Sequence, residues 1–278
     1  MDESIGKPGD NQMVDCHCHL ADDGFDEDIA EVISRAKQNG VSAGLVVSIV
    51  PQDFEKILKL SERFPDFVVP CFGVHPVQYI RKQCCCCFSL QDLDAAIPLI
   101  DQYHHLLGAI GEVGLDFQPR ICPTPKEKSL QRKILVKQIE LAKKYDLPLN
   151  VHSRSAGRPT IELLKENGVK KALLHAFDGR PAIASQGVEA GYYFSIPPEV
   201  VRKEQKQNLV ARIPLDNMLL ETDSPVLGPV RQERNEPANI QVSCEYIAKV
   251  KNVEVAEVRR ITTQNAIRLF PKLAKFIK

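Results

Sequence analysis

The sequence predicts an α/β fold of the TIM type, a single-domain (β/α)8 barrel over residues 13–278, and three observations carry that reading. Short apolar runs alternate with longer amphipathic ones, the pattern of parallel βα units, because a parallel strand pair needs a long crossover. Eight such units follow one another. No internal repeat and no Pro/Ser-rich linker breaks them, which favours a closed barrel over an open doubly wound sheet.

Taken in order, residues 1–12 read as a disordered polar tail without the apolar stretch of a secretion signal. Strands are expected at 13–17, 41–48, 67–73, 107–112, 148–152, 171–175, 192–195 and 217–221. Helices are expected at 26–39, 53–63, 90–104, 126–145, 159–167, 181–190 and 199–212, with 240–251 and 255–270 completing the last unit and packing outside. Segment 118–125 holds three prolines and is placed to shape an entrance.

Composition narrows the partners. Lys plus Arg and Asp plus Glu are 36 each, so no overall basic field coats duplex nucleic acid, although local recognition of a strand end stays open. No apolar run is long enough to span a membrane, and nothing signals an obligate protein partner. Nine cysteines, an odd number without secretory features, read as reduced thiols in cytosol or nucleus.

The chemistry begins at Val14-Asp-Cys-His-Cys-His-Leu20. Side chains alternate along a strand, so Asp15, His17 and His19 are expected on one face, with Cys16 and Cys18 packing on the other. Alone, a His-x-His pair is as readily structural as metal-binding. The other ionisable groups change the balance: Glu112, His152, His175 and Asp223 each fall where an expected strand gives way to a loop. In a barrel those ends meet at one mouth, where active sites are built. A buried cluster of this kind is costly unless it holds cations.

These segments resemble the TatD family of metal-dependent deoxyribonucleases, within the amidohydrolase-like metal barrels. The likeness rests on Val14-Asp-Cys-His-Cys-His-Leu20, Phe72-Gly-Val-His-Pro76, Ile110-Gly-Glu-Val-Gly-Leu-Asp-Phe117, Leu147-Pro-Leu-Asn-Val-His-Ser-Arg154, Leu174-His-Ala-Phe-Asp-Gly179, Gly191-Tyr-Tyr-Phe-Ser-Ile196, Leu219-Leu-Glu-Thr-Asp-Ser-Pro225 and Arg234-Asn-Glu-Pro237. They occur in the family's order through nearly the whole chain. The resemblance implies two divalent metal ions, His17, His19 and Asp223 holding one, His152 and His175 the other, with Glu112 bridging. Imidazole donors favour zinc, with Mg²⁺ or Mn²⁺ as alternates. It also implies phosphodiester hydrolysis of DNA from strand ends by an activated water, with Asp223 and Glu112 catalytic.

Around that set, Asp15 and Glu221 are expected to orient ligands, and His75 and Arg154 to grip substrate phosphate from the rim. Asp116 and Asn235 read as structural or supporting groups. Two stretches depart from the family pattern. Cys84-Cys-Cys-Cys87 reads as a variable surface loop before the 89–104 helix, and Asp178 adds a negative charge near the mouth. Neutral net charge and Asp178 leave a metal-dependent amide, ester or lactone hydrolase as the alternative. A non-catalytic metal-bound scaffold is the third reading.

Overall fold

The structure, a computed structural model, describes residues 12–80, 84–87 and 90–277, the backbone alone over 78–80 and 84–87. The first unit is β1 (Met13–Cys18) and α1 (Ile29–Gln38), followed by β2 (Val41–Val47), α2 (Asp53–Arg63) and β3 (Val68–Phe72). A side hairpin, β4 (Val77–Ile80) and β5 (Cys84–Cys87), then precedes α3 (Leu90–Tyr103). The chain continues through β6 (Ala109–Gly114), α4 (Pro125–Lys144), β7 (Leu149–His152), α5 (Gly157–Glu166), β8 (Ala172–Leu174) and α6 (Pro181–Glu189). It ends with β9 (Tyr193–Ile196), α7 (Glu204–Arg212), β10 (Met218–Leu220), α8 (Ile240–Lys251) and α9 (Val255–Leu269).

Eight parallel strands lie in the order β1-β2-β3-β6-β7-β8-β9-β10, a nearly closed barrel with helices outside. The seam between β10 and β1 is bridged just above the strands. The Asp223 N–H donates to the His17 carbonyl at 2.9 Å, and the His19 N–H to the Ser224 carbonyl at 2.8 Å. No helix among the described residues is long and apolar enough to cross a membrane.

Two buried layers hold the barrel. The outer one packs strands on helices through residues such as Met13, Val46, Phe72, Leu174 and Phe194. The inner one fills the barrel with Val14, Cys16, Leu45, Val69, Cys71, Leu173 and Leu219. Each such side chain contributes roughly 1.5–3 kcal/mol on burial.

Helix starts follow local chemistry. At the mouth, α4 begins in a capping box: the Thr124 hydroxyl accepts from the Glu127 N–H, and the Glu127 carboxylate from the Thr124 N–H.

Several expectations are corrected. The inner layer continues into Phe270, Leu273 and Phe276, so the end of the chain plugs the barrel floor and does not simply pack outside. The Lys272 ammonium anchors it on the carbonyls of His104, His105 and Leu107, just ahead of β6. The helix expected over 199–212 splits into a 3-10 turn, Pro198–Arg202, and α7, because Lys203 is extended. The backbone at Cys84–Cys87, expected as a loop, pairs antiparallel with β4. What those cysteine side chains do lies outside the described residues. So does the tail expectation over 1–11, whereas Gln12 is tied down, its carbonyl accepting from Thr263 Oγ1 at 2.8 Å.

Strand parity also differs. The β1–β2 register slips between Asp15 and Cys18, a bulge that puts Cys16 in the inner layer and Cys18 in the outer one. Both cysteines pack, on opposite sides of the sheet. A second slip falls in β6 between Ile110 and Val113, around Glu112. An extra residue re-aims the side chains that follow it.

Candidate metal centre

The two bulged strands supply the middle of the site. His17, within the slip in β1, and Glu112, within the slip in β6, face each other with Nε2 and Oε2 3.6 Å apart. His19 Nε2 lies 3.2 Å from His17 Nε2 and 3.4 Å from Glu112 Oε2. Asp223 Oδ1 completes that side, 3.5 Å from His17 Nε2 and 3.3 Å from His19 Nε2. On the other side, Glu112 Oε1 meets His175 Nε2 at 2.8 Å and His152 Nδ1 at 2.9 Å. Glu112 therefore turns one oxygen to each group of histidines.

Partners behind the rings settle which nitrogens are bare. Asn150 Nδ2 donates to the Cys16 carbonyl at 2.8 Å, so its Oδ1 faces His17 Nδ1, also at 2.8 Å, and must accept a proton from it. That leaves His17 Nε2 as a lone pair. Asp116 Oδ2 does the same for His152, accepting from Nε2 at 3.3 Å and leaving Nδ1 bare toward Glu112. Lone pairs facing carboxylate oxygens are held together only by a cation between them, a proton or a metal ion. Three groups of donor atoms lie within 4.8 Å of one another: His17, His19 and Glu112; His17, His175 and Asp223; His75, Glu112 and His152.

Electrostatics point the same way. Burial alone would raise the Glu112 carboxyl, but His75, His175 and His17 hold it well below the usual range. Burial likewise opposes charge on Asp223, and His17 and His19 outweigh it and keep the carboxylate ionised. On the imidazole side, burial disfavours the cation on His19, yet Asp223 and Glu112 push it up to about 10. Against the same cost of burial, Glu112 pushes His175 well above its ordinary value. The cage draws in positive charge. Its donor set of imidazoles and carboxylates fits divalent metal ions, which displace those protons on binding.

The supporting residues are placed as follows. Asp15, expected to orient a ligand, meets the backbone on both sides of the cage and not a ligand ring. It accepts from the Thr222 N–H at 2.9 Å, the Thr222 hydroxyl and the His17 N–H at 3.3 Å, so it ties β1 to the loop carrying Asp223. Glu221 Oε2 stands 3.6 Å from His175 Nδ1 while its oxygens accept from Ser195 Oγ at 2.6 Å and the Ala176 N–H at 2.8 Å. His75, expected at the rim, is only 4% exposed. Burial lowers its pKa, its Nδ1 meets the Val77 carbonyl at 2.8 Å and its Nε2 stands 3.4 Å from Glu112 Oε1, so the ring faces the cage and not the rim. Arg154 is exposed two residues past His152.

Sequence reasoning missed Asn150 and Lys206. Asn150 had a signal, a polar residue two before His152 on the same strand face of a buried strand. Lys206 had none. Its ammonium, 4% exposed, donates to the carbonyls of Ala176 and Phe177, the latter at 2.9 Å. Ala176 follows His175 with φ at 38°, and Asp223 itself has φ at 53°. Both left-handed backbones sit beside the cage, that of Ala176 held by Lys206 and that of Asp223 by its N–H bond to the His17 carbonyl.

A barrel whose strand ends converge on an imidazole–carboxylate cage defines a class of metal-binding α/β proteins. The chain belongs to the TatD related DNase family, whose model matches residues 14–271. It is 55% identical over 266 residues to the deoxyribonuclease TATDN3 of Homo sapiens, covering 96% of this chain and 97% of that protein. It is 33% identical over 264 residues to the uncharacterized metal-dependent hydrolase YabD of Bacillus subtilis (strain 168), covering 93% and 98%. Among solved structures it resembles YJJV, a TATD homolog from Escherichia coli k12, with a TM-score of 0.82, 25% identity and coverage of 95% and 99%.

Proposed function

We propose that the protein is a metal-dependent phosphodiesterase that hydrolyses DNA, working inward from strand ends with an activated water. The observation that carries this is Glu112, whose two oxygens face two separate histidine groups, the arrangement a shared carboxylate needs between paired ions. The printed deoxyribonuclease name of the human relative supports the substrate class.

His17, His19 and Asp223 would hold one ion, His152 and His175 the second, with Glu112 between them. Four imidazoles favour zinc, and Mg²⁺ or Mn²⁺ are the alternates. When bound, such ions lower the pKa of water and offset charge developing on a phosphate. The chain's own residues do the rest. Asp223, kept ionised, orients the attacking water and accepts its proton at Oδ1. Asn150 and Asp116 fix the tautomers of His17 and His152. Arg154, exposed two residues past His152, would meet a phosphate oxygen.

His152→Ala should lower DNA hydrolysis about a hundredfold or more while circular dichroism shows the fold intact. Undiminished hydrolysis in that variant would remove His152 from the site. A panel of single-stranded DNA, RNA and small ester and amide substrates, run with metal analysis, tests the substrate class. Turnover of esters or amides without DNA cleavage would sink the nuclease reading.

A further inference from the structure

The loop after β6 and the first turns of α4 carry cations that the cage does not use. Lys128 and Arg132, four residues apart on one helix face, both lie over the Phe117 ring. The Lys128 Nζ is 5.4 Å and the Arg132 guanidinium carbon 4.9 Å from its centroid. Phe117 follows Asp116, the residue that meets His152. Its N–H donates to the Arg154 carbonyl at 3.0 Å, which brings the loop after β7 alongside. Phe117 thus lies between two cations of α4 and the backbone of the loop that carries Arg154.

Some other cations have acidic partners, among them Lys56 with Asp26, Lys137 with Asp94, Lys144 with Asp101 and Arg234 with Asp28. Among the described residues, Lys128, Arg132 and Arg154 form no ion pair at 4.0 Å or less. The acid beside them on α4, Glu127, is committed to the capping box with Thr124. Like charges four apart on a helix repel by a few tenths of a kcal/mol, roughly 0.2–0.5, and no acid offsets that here. On the β9–β10 side, Val201, Val226 and Val230 are exposed, with the cations Lys203 and Arg231 near them in the chain.

We propose that Lys128, Arg132 and Arg154 form a phosphate track carrying the strand next to the scissile bond across the β6–β7 side of the mouth. This rests on the phosphodiesterase reading and names the path of its substrate. It also reconciles a net charge of zero with nucleic-acid binding, because the field is local to the mouth.

The test is binding of a short fluorescein-labelled, nuclease-resistant phosphorothioate single strand to metal-loaded protein, followed by anisotropy across a salt series. Each phosphate contact on a single strand contributes about 0.7 to the slope of log affinity against log salt. Lys128→Gln with Arg132→Gln should therefore flatten that slope by about 1.4. The charge-keeping pair Lys128→Arg with Arg132→Lys should restore it, which separates lost charge from lost packing. In turnover, the Gln pair should lose far more kcat/KM on a DNA strand than on bis(4-nitrophenyl) phosphate. A slope equal to wild type, or a wild type that does not bind the strand, overturns the track. Equal displacement of the strand by short polyglutamate would overturn the nucleic-acid assignment. Salt-dependent binding without DNA cleavage would leave the track standing and defeat the nuclease reading instead.

Discussion

At the scale of single residues, the candidate centre depends on groups that never face its cavity. Asn150 is one of them. By accepting from His17 Nδ1 it fixes the lone pair on Nε2, and Gly111 makes room for it, since a Cβ there would stand 2.6 Å from the Asn150 Cβ. Asn150→Ala should weaken metal affinity about 10–100-fold with the fold retained, read by competition against a chelator. Unchanged affinity would reduce Asn150 to packing. The sequence displayed this residue in plain view, an amide in an otherwise apolar strand, but gave no partner for it. That partner, His17, lies 133 positions away.

At the scale of elements, strands and most helices were legible because alternation and amphipathic spacing report which face is buried. The bulges in β1 and β6 were not, because a parity argument assumes an unbroken register. They matter most where they are hardest to read, since His17 and Glu112 owe their direction to them. The barrel seam is the other element-level feature, and Asp15 holds it by gripping Thr222. Asp15→Ala would leave the buried Thr222 N–H unpaired and should cost roughly 1–3 kcal/mol in urea unfolding. Burial pushes the Asp15 carboxyl up to about 8, so the folded state retains a proton that the unfolded chain releases at lower pH. Its contribution is complete below the unfolded value and fades as pH rises through about 8. The deficit of the Ala variant should therefore narrow from about pH 4 to about pH 8 and level off above it. A deficit that widens with rising pH would refute the protonated Asp15.

For the whole molecule, eight units and an unbroken composition were enough to announce a barrel, and strand ends were enough to gather the six candidate ligands at its mouth. The floor was not foreseen, because an amphipathic pattern shows that a face is buried without showing against what. Phe270→Ala should test it, with an expected loss of about 3–5 kcal/mol if the ring is part of the inner layer. A loss near zero in thermal or chemical unfolding would mean that the last segment merely rests against the barrel. With Phe270, Leu273 and Phe276 in place, the molecule is a cup and not a pipe. Whatever enters past the rim must back out through the same doorway, so each departing fragment stands in the way of the next arrival.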